Sequence, residues 1–111
     1  MDMIATLNVE TPSVLLEGAP VSRAIIDSLA ACAATYTSLE IQTSLNAANS
    51  DHVPFIRKGL PAVLTIEGTD SANANIHSEN DTLAFIDYDL ALGILRMNVA
   101  CVAELLGRTG A

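Results

Sequence analysis

The stretch Ser50-Asp51-His52-Val53-Pro54-Phe55, continuing through Gly59-Leu60-Pro61 into Ala62-Val63-Leu64-Thr65-Ile66, decides how this chain folds. A polar loop leads to a turn at Gly59 to Pro61, and the turn feeds a continuous apolar strand, Ala62 to Ile66. Behind the strand comes a long polar loop, Thr69 to Asp81, rich in Asn and Ser and carrying His77. Polar residues gathered at strand ends and in loops occupy the places where open α/β sheets collect ligands.

Upstream, Leu39 to Leu45 alternates. Leu39, Ile41, Thr43 and Leu45 share one side, and Glu40, Gln42 and Ser44 the other, as in a half-buried strand. Asn46 to Asp51 is a polar loop. Gly18-Ala19-Pro20 opens a helix with Pro20 in its first turn. Val21, Ile25, Ile26, Leu29, Cys32 and Ala33 then recur at helical spacing as far as Tyr36. Val14 to Leu16 is a short apolar strand behind the turn residues Thr11-Pro12-Ser13. Met1 to Asn8 also reads as a strand, with Met1, Met3, Ile4 and Leu7 apolar. It starts without lead-in or cap, which suggests a natural chain that began earlier. Downstream, Asp87 is a candidate N-cap for a last helix, Tyr88 to Leu106, closed by Gly107. That helix is apolar on two faces: Leu92, Leu95, Val99, Val102 and Leu106 on one, Ile94, Met97 and Cys101 on the other. A helix of this kind needs cover on both sides, so a missing domain half or a homodimer through residues 88–106 is expected. The order strand, strand, helix, strand, strand, helix predicts an α/β fold: a partial mixed sheet of about four strands flanked by two main helices, in one domain over residues 1–111.

Composition narrows the function. The chain has 111 residues, 50% of them apolar, and a net charge of −8 with only five Lys and Arg. So acidic a chain lacks the basic footprint for nucleic acid and the basic face that would hold it to anionic lipid. Arg96, Asn98 and Glu104 interrupt its longest apolar segment, so no membrane span of about 18 residues is expected. No signal peptide is visible, and the compartment is left open. Cys32 and Cys101 read as buried small hydrophobes. Their spacing leaves a disulfide open, and a redox role ranks last because neither has a basic neighbour to lower its pKa.

Three polar spots carry possible chemistry. Asp51-His52, at the end of the loop before the turn, could bind metal or orient a catalytic group; the alternative is a loop whose side chains hold its own backbone. His77 has Asp81 four residues on. A metal-bound imidazole usually gives its other N–H to a carboxylate or carbonyl, and Asp81 is the candidate partner. Asp2 sits in an otherwise apolar segment, where a carboxylate is costly unless it is paired or bound to metal; the alternative is an exposed terminal residue.

Taken in order, Ser50-Asp51-His52-Val53-Pro54-Phe55, Gly59-Leu60-Pro61-Ala62, Glu67 and Ile76-His77-Ser78 with Asp81-Thr82-Leu83 resemble the tail of the bacterial leucyl aminopeptidases. These are co-catalytic zinc exopeptidases, with glutaminyl cyclases as distant relatives. Asp2-Met3-Ile4 is similar to that family's strand bearing an Asp ligand. The resemblance covers nearly the whole chain and is strongest from Ser50 to Leu83. It implies that Asp2 is a carboxylate ligand of one zinc and His77 an imidazole ligand of the other. Asp51, His52 and Asp81 then stand near the site and hold its loops, and Ser50 shapes the loop before the turn. The implied substrate is a peptide, whose first carbonyl two zincs polarise.

The family's remaining ligands, a His, a bridging Asp and a Glu, and its Glu general base lie upstream of the Asp2-Met3-Ile4 element, where this sequence has only Met1. Catalytic zinc generally takes three protein ligands. The resemblance therefore implies a fragment that is inactive alone, with no catalytic residue of its own. A non-catalytic assembly module, or a site completed in trans by another chain, are the alternatives. Many relatives carry Tyr before the ligand His, where this chain has Ile76.

Overall fold

The computed structural model describes residues 1–109. Three strands form one mixed sheet in the order β2-β1-β3, with β1 (Ser13–Glu17) between β2 (Glu40–Ser44) and β3 (Leu64–Glu67). β1 and β2 run parallel, from Ser13 opposite Glu40 to Glu17 opposite Ser44. A parallel pair needs a crossover. Here it is α1 (Arg23–Tyr36), entered through a tight turn at Pro20–Ser22 that has Pro in its first position. β3 lies antiparallel on the other side, with Val14 opposite Glu67 and Glu17 opposite Leu64. The last helix, α3 (Tyr88–Thr109), packs on α1 and β3.

The core lies between the sheet and these two helices. Val14 and Leu16 meet Ile26, Leu29, Cys32 and Ala33 of α1 and Leu90, Ile94, Met97 and Cys101 of α3. Leu39 packs against this core from the start of β2, close enough to α3 that a Cβ on Gly93 would stand 3.3 Å from its side chain. Asp87 caps α3 as its position suggested: its Oδ1 accepts from the Leu90 N–H at 2.8 Å. Ser22, fully buried at the entry to α1, accepts from Ala62 N–H at 3.2 Å and donates to Ala62 C=O at 2.6 Å. One hydroxyl thus ties the start of the crossover helix to the lead-in of β3.

The structure departs from the sequence expectations in several places. Residues 1–8 form no strand, so the sheet has three strands and not four. The segment does lie along β3: Asp2 N–H donates to Thr65 C=O at 3.2 Å, and Glu67 N–H to Met3 C=O at 2.8 Å. Between those bonds Met3 takes a left-handed φ of 52°, which breaks the extended backbone a ladder requires. β3 begins at Leu64 rather than Ala62 and runs on to Glu67. A short helix, α2 (Val53–Arg57), occupies part of the region read as loop, with Pro54 in its first turn and Gly59 just beyond it at φ 75°. α3 continues past Gly107 to Thr109. By length and composition, Tyr88–Gly107 is also apolar enough to cross a membrane, with 20 residues and a mean hydropathy of 1.6, despite Arg96, Asn98 and Glu104.

Candidate functional site

Two neighbouring grooves use the amino-terminal segment as a shared rib. The first, about 230 Å³, brings together Asp2, Ser50, Asp51, His52 and Phe55 against Leu64 at the start of β3. The second, about 180 Å³, is lined by Thr6, Glu67, Asn73, Ile76, Asp81 and Ile86. The fold therefore gathers Asp2 with Asp51 and His52, although the first lies far from the other two in sequence. It places Asp81 on the other groove, beside Ile76.

His52 is the buried member of the first groove. Its Nε2 lies 2.9 Å from Glu17 Oε2, with the side chains 4% and 9% exposed. The contact has the distance of an ion pair without the alignment of a hydrogen bond, and neither ring nitrogen has a hydrogen-bond partner among the described residues. Glu17 Oε2 also accepts from the Ala48 N–H at 3.1 Å. A carboxylate at the end of the central strand thus holds both ends of the Ala48–His52 loop that carries Ser50 and Asp51. Asp51 itself is exposed.

Glu67 organises the second groove. It is 1% exposed, and its oxygens accept from Thr6 N–H at 3.1 Å, Asn8 Nδ2 at 2.7 Å and Asn73 Nδ2 at 2.9 Å. This carboxylate ties the amino-terminal rib and the start of the Asn-rich loop to the end of β3. Buried carboxylates are tolerated when donors surround them in this way. Gly68 lets the chain turn here: a Cβ on it would sit 1.9 Å from Ser13 Oγ.

His77 stands in the loop that follows, exposed, at a left-handed φ of 57°. For a non-glycine residue that conformation is uncommon and concentrates at functional positions. Ser78 braces it, donating to Asn75 C=O at 2.7 Å and accepting from Asn80 N–H at 3.2 Å. No hydrogen bond joins His77 to Asp81 among the described residues. Asp2 is exposed, held by its backbone on β3.

Among the described residues, no three His, Cys, Asp or Glu side chains converge to hold a metal ion. Taken by themselves, the residues of this chain do not fit a zinc site. Sequence reasoning missed the role of Glu17, since it reads as the end of a strand and its partners lie on a distant loop. Glu67 was legible only as part of a pattern and not as an anchor.

The model of peptidase family M28 matches residues 1–102. The chain belongs to peptidase family M28. Members of M28 are generally zinc-dependent peptidases. The fold is also that of a solved structure: the LapA aminopeptidase of Legionella pneumophila superposes with a TM-score of 0.80 at 20% identity, over 93% of this chain. The chain spans 29% of the length of that aminopeptidase. No curated protein matches it.

Proposed function

We propose that this chain is the carboxy-terminal part of the catalytic domain of a zinc-dependent aminopeptidase of the bacterial leucyl aminopeptidase type, with glutaminyl cyclases as distant relatives. The match of residues 1–102 to family M28 carries the reading. In the whole enzyme, which removes amino-terminal residues from peptides, Asp2 supplies one ligand to one zinc and His77 one ligand to the other. Asp51, His52 and Asp81 position the loops around them. The gathering of Asp2, Asp51 and His52 on one groove supports that division of labour, as does the left-handed backbone at His77. With one ligand for each metal and no general base, the 111-residue chain does not hydrolyse peptides alone.

The test is an aminoacyl-anilide assay of the chain with added zinc, then with a polypeptide that supplies the missing ligands in trans. No turnover is expected from the chain alone, and activity on complementation. In the complemented enzyme, Asp2→Ala and His77→Ala should each abolish turnover and release one zinc. Robust hydrolysis by the chain alone, or full activity in either variant, contradicts the reading.

One observation favours a second reading, a non-catalytic assembly module. Leu92, Val99 and Val102 on the outer face of α3 are 52%, 67% and 56% exposed, and Leu95 shares that face. Such a stripe suits a homodimer through helix 88–106. Sedimentation should then give a dimer that Val99→Glu dissociates; a wild-type monomer at high concentration counts against it.

A further inference from the structure

The groove between α1 and α3 lies outside both grooves described above. It has a volume of about 230 Å³ and is lined by Asp27, Ser28, Cys32, Cys101, Glu104 and Leu105. Cys32 and Cys101 are both free and buried, 2% and 4% exposed, on facing helices that pack against each other. Cys32 Sγ lies 3.6 Å from Glu104 Oε2, and Glu104 stands one turn beyond Cys101 on α3. Cys32 belongs to the inner face of α1 with Leu29 and Ala33, and Cys101 to the inner face of α3 with Ile94 and Met97.

We propose that Cys32 and Cys101 are a latent disulfide site, closed by exchange with a small-molecule disulfide that enters this groove, and that the bond staples α1 to α3. The exchange balances in two displacements. The Cys101 sulfur attacks the external disulfide, sheds its proton, forms a mixed disulfide and expels one thiolate. Cys32 then attacks the Cys101 sulfur, closes the protein disulfide and expels the second thiolate. The two protein thiols are oxidised, one external disulfide is reduced to two thiols, and the protons shed by Cys101 and Cys32 end on those leaving groups. Burial, then the charge of Cys101 and of Glu104, push the Cys32 thiol up to about 11. Cys32 therefore stays protonated at neutral pH and acts second, with the Glu104 carboxylate placed to accept its proton as it attacks. The bond would close a loop running from α1 through β2 and β3 to α3, most of the fold, and long loops gain most from cross-linking.

The experiment treats the reduced full chain under native conditions with excess oxidised glutathione. Free thiols, intact mass and the urea unfolding midpoint are then measured. The expected result is loss of both thiols together with no retained glutathione and no cross-linked dimer. The unfolding midpoint should rise and return on reduction with dithiothreitol. Cys32→Ser should stop at a single glutathione adduct on Cys101, and Cys101→Ser should slow adduct formation strongly. Two thiols still titratable, glutathione retained on both cysteines, or a bond between chains would each overturn the proposal.

Discussion

Glu67 takes three donors from two separate stretches of chain: the Thr6 backbone and the Asn8 side chain of the amino-terminal rib, and the side chain of Asn73. A buried donor left without an acceptor costs about 1–3 kcal/mol. Glu67→Ala should therefore destabilise the chain by at least about 2 kcal/mol in urea titrations. Glu67→Gln should cost less, because one oxygen still accepts. Equal stability of wild type and Glu67→Ala would mean the rib is not anchored there. At the other groove, His52→Ala leaves Glu17 buried with the Ala48 N–H as its remaining contact. Amide exchange should then quicken across residues 46–52 before it does in the core. Cys32 has a pH signature. Its folded pKa is raised from 9.0 to about 11, so the folded state keeps a proton the unfolded chain has shed. That stability is complete below 9.0 and is lost as pH climbs through about 11. The reduced protein should lose stability over that alkaline window, and Cys32→Ser should flatten the slope.

Elements were legible where the sequence obeyed one period. The helical spacing from Val21 to Tyr36 gave α1, and the alternation of Leu39 to Leu45 marked β2 but not its faces: Ile41 and Thr43 are exposed, and Gln42 and Ser44 half-buried. Asp87 marked the start of α3 because a cap is a local device, readable from the residue itself; Asp87→Ala should cost about 1 kcal/mol. The amino-terminal segment misled because apolar content does not report φ. Met3 turns left-handed between two good bonds to β3, and only the fold imposes that. α2 is five residues long, too short for a helical period to show. Gly68 was unreadable for a related reason. Its need arises from Ser13, which only the sheet register brings beside it. Gly68→Ala should destabilise by about 2 kcal/mol through overpacking, and a smaller residue at position 13 should recover part of the loss.

At the scale of the whole molecule, the candidate site was legible in its residues and not in its arrangement. Asp51, His52 and Asp81 stand out as polar residues in loops. That Asp2 shares a groove with the first two, while Asp81 belongs to another, depends on how the rib lies along β3. The buried contact between Glu17 and His52 joins a strand end to a loop outside any sequence window. The proposed function makes both grooves parts of one larger site, with this chain giving a single ligand to each metal. Zinc stoichiometry of the isolated chain by equilibrium dialysis at neutral pH tests that claim most directly. Less than one tightly bound zinc per chain, unchanged by Asp2→Ala, is the result predicted. One or two tightly bound zincs, lost in Asp2→Ala or His77→Ala, would contradict it.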